Sequence, residues 1–251
     1  MSNERGVTVV TGAGRGIGAA VAVRLARQGH DLALCYRRDH EAAQHVASLV
    51  RAEGARCVTV AADVSGPDDV ERLFALAAEE LGVVTGLVNN AGLTAHIAPL
   101  ADTPVAVIRE VLDVNLLGTV LCSRRAAQVM SRRRGGRGGA IVNISSAAAT
   151  LGSPHEYVHY AAAKAAVDAL TVGLAKELAP DGIRVNTVSP GIIRTDIHAA
   201  AGDPDRADRV ASRVPLGRAG EVDEVAPAVG WLLGPEASYV SGAVLRVAGG
   251  L

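Results

Sequence analysis

The chain has 251 residues, a length that large α/β folds reach as one domain, and its 49% hydrophobic to 20% charged balance supplies a core and excludes a disordered chain. Its 25 basic and 26 acidic side chains nearly cancel, which removes the bulk electrostatic basis for nucleic-acid or membrane-surface binding. Aromatics are only 2%, with Phe74 and Trp231 the sole Phe and Trp, so bases find few stacking surfaces and the core must be built from Ala, Val, Leu and Ile.

Met1 to Arg5 is short and polar, and no apolar run approaches the length of a membrane span, so a soluble, cytoplasmic protein is expected. Cys35, Cys57 and Cys122 are odd in number, widely spaced and without a Cys-x-x-Cys pair, which suggests neither a disulfide framework nor a metal site. Val7 to Val10 is a β-branched run entering a Gly-rich turn, and Ile17 to Gln28 carries apolar residues at helical spacing. The same grammar repeats: strand Asp31 to Tyr36, helix Glu41 to Glu53, strand Cys57 to Ala61, helix Asp68 to Leu81, strand Gly86 to Asn89. A long helix from Pro104 to Met130 follows. Arg132, Arg133, Arg134 and Arg137 then lie in a Gly-rich stretch that reads as a mobile, solvated loop without a function. A strand from Ala140 to Ser145, a helix from about Tyr160 to Leu178, and strands near Arg184 to Val188 and Val244 to Val247 complete the pattern. Apolar strands alternating with amphipathic helices imply a doubly wound parallel sheet with helices on both faces, and no composition break divides residues 1–251.

The first strand ends in Thr11-Gly12-Ala13-Gly14-Arg15-Gly16-Ile17-Gly18. Glycine permits positive φ and close approach of phosphate to the backbone, and the helix opening at Ile17 offers free N–H groups to a pyrophosphate. The loop is therefore a phosphate cradle of Rossmann type. Its general Gly-x-Gly-x-x-Gly/Ala spacing fits only permissively, from Gly14 to Ala19. Tyr160 and Lys164, four residues apart on a predicted helix, leave the same face and can reach one bound molecule. A tyrosine with a cation beside it becomes a usable acid/base. Two serines, Ser145 and Ser146, follow the strand run at its carboxyl edge, where ligands bind in doubly wound sheets, and either hydroxyl could hold a substrate oxygen.

Thr11, Gly12, Gly16 and Gly18, with Asp63-Val64, Asn89-Asn90-Ala91-Gly92, Asn115, Ser146, Tyr160-x-x-x-Lys164 and Pro190-Gly191, form an ordered set across nearly the whole chain that resembles the short-chain dehydrogenase/reductase family. The resemblance implies a single dinucleotide-binding and catalytic domain that moves a hydride between NADP(H) and a carbonyl or secondary alcohol. It implies that Thr11, Gly12, Arg15, Gly16, Ile17 and Gly18 meet the cofactor, that Asp63 and Val64 border the adenine, and that Asn89, Ala91 and Gly92 steady the sheet beside it. By the same resemblance Pro190 and Gly191 would lie along the cofactor, and Ile193 and Thr195 would meet the nicotinamide carboxamide. Ser146, by alignment on Ile141-Val142-Asn143-Ile144, would orient the carbonyl; Tyr160 would exchange the proton; Lys164 would also bind the ribose; and Asn115 would hold a relay water.

No acidic residue stands at Tyr36 or Arg37, so Arg37 and Arg15 are expected to surround a 2′-phosphate, which favours NADP(H) and leaves NAD(H) as the second cofactor accepted. Asp39 and Glu41 fit the following helix start better than a ribose. The Ser146-to-Tyr160 spacing is one residue longer than is common in the family, consistent with an insertion within 153–159, where His155, Tyr157 and His159 could contact substrate but are left outside the catalytic set. The connection from Arg194 to Gly217 is expected to fold over the substrate. The chain is similar to bacterial glucose dehydrogenase-like and 3-oxoacyl reductase-like members. Its Tyr160 helix, Trp231-Leu232-Leu233 and Tyr239 to Val247 are similar to tetramer contacts of the family. The alternative reading is a noncatalytic NADP(H)-binding sensor, whose relatives lose the tyrosine or lysine that this chain keeps.

Overall fold

Valine-rich stretches with no polar face make strands that must be covered on both sides, and the computed structural model, which describes residues 5–251 apart from the side chains of His198 and Ala200, shows how they are covered. The polar lead before Arg5 lies outside the described residues. β1 (Val7–Thr11), β2 (Asp31–Tyr36), β3 (Cys57–Ala61), β4 (Val84–Asn89), β5 (Gly139–Ile144), β6 (Ile183–Pro190) and β7 (Val244–Val247) form one parallel sheet in the order β3-β2-β1-β4-β5-β6-β7. Val9 of β1 stands opposite Ala33 of β2 and Leu87 of β4.

Side chains alternate across the sheet and separate the core into two layers. On one face Val9, Ala33, Leu87, Ile141 and Val185 pack under α3 (Pro67–Leu81), α5 (Gly118–Met130) and α7 (Val158–Leu178), with Phe74 buried at the centre. On the other, Val10, Leu32, Leu34, Val88, Val142 and Val188 pack under α1 (Gly16–Arg27), α2 (His40–Ala52) and α10 (Val222–Leu233). The doubly wound parallel sheet with helices on both faces is thus the observed architecture. No helix among the described residues is long and apolar enough to cross a membrane.

Four elements depart from the sequence expectation. The expected helix from Pro104 to Met130 is α4 (Val105–Leu112), a π-helical turn at Asp113–Leu117, and then α5. The extra residue in that turn rotates Asn115 inward. α7 begins at Val158, not Tyr160, so Tyr160 lies inside its first turn. The helix α10 was not expected; Glu221 and Glu224 cap it reciprocally, each side chain bonding the other's backbone N–H. The Arg132–Arg134 stretch is a short 3-10 turn pinned by Arg133, which holds Asp181 through two N–H donors at 2.5 and 3.1 Å.

Candidate active site

The strand order reverses between β1 and β4, so their carboxyl ends part and open a crevice. Thr11 closes β1 and locks this opening: its Oγ1 accepts from the N–H groups of Asn90 and Ala91, both at 3.0 Å, and donates to the Val88 carbonyl at 3.3 Å. Asn90 Nδ2 returns bonds to the carbonyls of Thr11 and Gly12 at 2.9 and 3.0 Å. The glycine loop is therefore clamped to the end of β4. Gly12 has φ +62° and a Cβ there would stand 2.9 Å from Ala91 Cα, so only glycine fits that turn. Arg15 precedes α1 without a side-chain cap bond, which leaves the first N–H groups of that helix facing the crevice.

Further along the crevice Asp63 and Val64 follow β3. Arg37 Nε lies 2.9 Å from Asp63 Oδ2 and its Nη1 3.4 Å from Glu110 Oε1, so the expected phosphate reader is engaged with two carboxylates. Burial works against the Asp63 charge, but two hydrogen bonds from Ser65 and the Arg37 guanidinium outweigh it and hold the carboxyl below its usual range. Asp39 caps α2, accepting from the Ala42 N–H at 2.9 Å, as expected from its position.

Across the crevice α7 carries Tyr160 and Lys164. A polar chain buried in the sheet fixes that helix: Asn89 Nδ2 donates to Ser123 and Asn143, Asn143 Nδ2 to Thr171 on α7, and Thr171 shares a 2.7 Å bond with Thr187 of β6. Lys164 Nζ donates to the Ile144 carbonyl at 2.8 Å and sits 5.7 Å from the centre of the Tyr160 ring. Burial pulls the Lys164 ammonium down to about 8, against the opposing pull of Asp168. Burial also pushes the Tyr160 phenol above its usual value, resisted by a hydrogen bond with Ser146. The two serines separate by their strand faces: Ser146 meets Tyr160 and also accepts from the Ala148 N–H, whereas Ser145 is buried and donates to the Lys164 carbonyl at 3.1 Å.

The walls enclose a cavity of about 970 Å³. Of the predicted residues, Gly12, Arg15, Gly16, Ile17, Arg37, Asp63, Val64, Ala91, Gly92, Ser146, Tyr160, Lys164, Pro190, Gly191, Ile193 and Thr195 line it. Thr11, Gly18, Asn89 and Asn115 stand behind the wall instead. Asn115, fully buried at the π-helical turn, spends its side-chain amide on the Leu93 and Val111 backbone, with Nδ2 bonds of 2.7 and 2.9 Å. Among the other residues that line the cavity are Asn90, whose place inside the Asn89-to-Gly92 motif was a signal, Tyr157, the one of the three loop candidates for substrate contact that reaches the cavity, and Glu156 and Arg206, which sequence reasoning did not single out. Tyr157 and Tyr160 pack in a T-shaped pair, ring centres 5.4 Å apart, and the guanidinium carbon of Arg206 from α9 (Arg206–Arg209) lies 5.3 Å from the centre of the Tyr157 ring. The lengthened loop between α6 (Ala148–Leu151) and α7 is absorbed by left-handed turns at Ser153 and His155, which bring Glu156 and Tyr157 to the cavity. His155 and His159 do not line it.

A family profile described as Enoyl-(Acyl carrier protein) reductase matches residues 12–251. The chain is 44% identical over 244 residues, 97% of its length and 99% of the relative's, to the uncharacterized oxidoreductase YgfF of Escherichia coli (strain K12). It is 35% identical to the 3-oxoacyl-(acyl-carrier-protein) reductase FabG of Staphylococcus epidermidis, covering 97% of each chain. Among solved structures, a short chain dehydrogenase from Burkholderia cenocepacia J2315 in complex with NADP superposes with a TM-score of 0.89 at 36% identity, over 99% of both chains. With the glycine loop, the Tyr160–Lys164 pair and the sheet order already in place, these matches over nearly the full length establish that the chain belongs to the short-chain dehydrogenase/reductase family of oxidoreductases.

Proposed function

We propose that residues 1–251 work as one cytoplasmic domain that interconverts a carbonyl and a secondary alcohol with NADP(H), accepting NAD(H) less well. The observation that carries this reading is that Ser146, Tyr160 and Lys164 share the wall of a crevice that begins at the glycine loop, with Lys164 Nζ 5.7 Å from the Tyr160 ring. The crevice suits a dinucleotide: the uncapped start of α1 receives the pyrophosphate, Gly12 leaves room for it, and Asp63 and Val64 flank the adenine. Asn89 serves this site from behind, by bracing β4 against β5 and α5.

When bound, the reduced cofactor supplies the hydride. Ser146 Oγ holds the carbonyl oxygen beside Tyr160. The Tyr160 phenol, kept protonated by burial, donates its proton to that oxygen as it becomes an alkoxide. Lys164, close by, stabilises the phenolate left behind, and its ammonium can reach the cofactor ribose. Asn115 is a positioning residue that fixes the turn at Gly92 and Leu93. Tyr160→Phe is expected to lower turnover by ~10²-fold to ~10⁴-fold while NADPH binding is retained. Saturated turnover rates with a ketone panel, alongside NADPH titration of both proteins, test this; near-wild-type turnover by the variant would remove Tyr160 from the chemistry.

A further inference from the structure

Tyr157 stands just ahead of α7 in a conformation outside the helical range, so the helix does not set the direction of its side chain. Its partners set it instead. Arg206, reaching over from the 194–217 connection, donates from Nη2 to the Tyr157 hydroxyl at 2.6 Å, and the same nitrogen pairs with Glu156. The contact is internal: Arg206 is 4% exposed and Tyr157 7%. Arginine is rarely buried so fully, and Glu156 supplies the counter-charge that permits it here. Tyr157 in turn makes its T-shaped pair with Tyr160, which lies inside the first turn of α7. Contacts therefore run unbroken from the connection to the ring of the proposed proton donor.

We infer that Arg206 is a positioning residue for Tyr160: it clamps Tyr157, the Tyr157 ring fixes that of Tyr160, and the same bond seats the 194–217 connection over the cavity. The inference rests on Tyr160 being the proton donor. Proton transfer needs the phenol oxygen within hydrogen-bond reach of the substrate oxygen, and a misplacement of about 1 Å costs roughly 10²-fold. The connection buries little of itself. Among its described side chains Arg206, Ala207, Val210 and Val214 are the buried ones, and its helices α8 (Ile197–Ala200) and α9 have four residues each. Its ion pairs Arg194–Asp208 and Arg209–Asp203 close on the segment itself. The clamp is also incomplete, since Arg206 Nε and Nη1 are shut off from solvent with no acceptor among the described residues. Two unmet donors offset part of what the Glu156 and Tyr157 bonds contribute, so the seat stays reversible, as a site that admits and releases a cofactor requires.

The Tyr160 ring itself is the readout. Isotopically ring-labelled tyrosine gives NMR signals from four residues, Tyr36, Tyr157, Tyr160 and Tyr239, in the NADP⁺-saturated protein, and Tyr160→Phe identifies the one in question. Arg206→Met is expected to move the Tyr160 signal toward that of the fully exposed Tyr239, while Tyr36 on β2 keeps its place. Tyr157→Phe, which deletes the hydroxyl and keeps the ring, moves it the same way by less. Because the single nitrogen Nη2 makes both bonds, Arg206→Lys can remake them and is expected to recover most of the displacement. In turnover of the ketone panel, Arg206→Met loses about tenfold to 10²-fold, equally in kcat and kcat/KM, since alignment is felt in the transition state. An unmoved Tyr160 signal in Arg206→Met, a displacement that Arg206→Lys does not recover, or a loss confined to KM would each overturn the assignment. A Tyr36 signal that shifts along with Tyr160 would do the same, by showing a general loosening. The spectra need no turnover, so a failure of the Tyr160 chemistry shows up only in the Tyr160→Phe rates.

Discussion

Arg37 follows β2, where the sequence reading expects a 2′-phosphate to be met, and its partners set how freely it could meet one. It holds Asp63 at 2.9 Å and Glu110 at 3.4 Å, and all three side chains are partly exposed. Exposed ion pairs are worth little, so a 2′-phosphate can recruit Arg37, but it does so against two neighbouring carboxylates. Arg15, exposed at the start of α1, has no ion pair among the described residues and adds a second cation on the same wall. Arg37→Ala is expected to weaken NADPH binding about tenfold, the worth of one charged hydrogen bond, and to leave NADH much less affected. Glu110→Gln relieves Arg37 of a competitor and is expected to tighten NADPH by a few-fold with NADH unchanged, again about the value of a surface pair. Fluorescence titrations of the three proteins with both reduced cofactors decide it: equal losses for NADPH and NADH in Arg37→Ala would show that this side chain does not read the phosphate.

At the scale of elements, the β1–loop–α1 unit works because three chain segments touch. A Cβ at Gly18 would collide with the Gly12 carbonyl oxygen and come within 2.5 Å of Asn90 Nδ2, the group that ties the loop to β4. Gly14 is different, since a methyl there would meet Ala43 N at 3.6 Å, an ordinary contact. Gly18→Ala is therefore expected to cost ~1 to 3 kcal/mol of stability through overpacking and to weaken NADPH by about tenfold, whereas Gly14→Ala changes neither. Thermal melts and NADPH titration of the pair check this, and a Gly18→Ala protein with wild-type melting and affinity would show that the contact relaxes freely. These glycines were legible in the sequence, as were the seven strands: the five inner ones, β1, β2, β4, β5 and β6, are buried on both faces and so read as continuous apolar runs, and the edge strands β3 and β7 keep the β-branched composition. Tyr160, Lys164 and Ser146 were legible because helix spacing and a strand end bring them to one edge. The π-helical turn was not: Asp113–Leu117 contains no glycine or proline and keeps the apolar rhythm of the helices around it. α6 is only four residues long and carries no period, and in α10 the interior Pro227 masks a capping pair that sequence spacing alone does offer. Arg206 was illegible because nothing local marks it; its meaning comes from Tyr157, which a left-handed loop turn carries to meet it.

For the whole molecule, the surface left by this fold is uneven, and that bears on assembly. Leu232, one of the residues expected at a subunit contact, is buried in the chain's own core. Trp231 and Tyr239 turn outward instead, Tyr239 fully exposed, in a chain with few aromatics to spare. Val244 is exposed on β7, the edge strand of the sheet, whose unpaired backbone groups invite a second copy. A second apolar surface lies on α7, where Ala162, Ala165, Ala169, Val172 and Gly173 face outward at helical spacing. Small side chains there let another helix approach closely. If each patch pairs with the same patch on a second copy, the two give two different twofold contacts, and two such contacts at right angles close a tetramer of D2 symmetry. The protein is expected to be a homotetramer held by an α7 interface and an α10–β7 interface. Light scattering after size exclusion should give the mass of four chains. Val172→Glu, which places a charge in the first patch, should yield dimers; Tyr239→Glu, in the second, should yield dimers of the other kind; and the double variant should yield monomers that retain the fold by circular dichroism. A wild-type protein that runs as a stable monomer at micromolar concentration would defeat this assembly and return both patches to the category of scattered surface apolar residues.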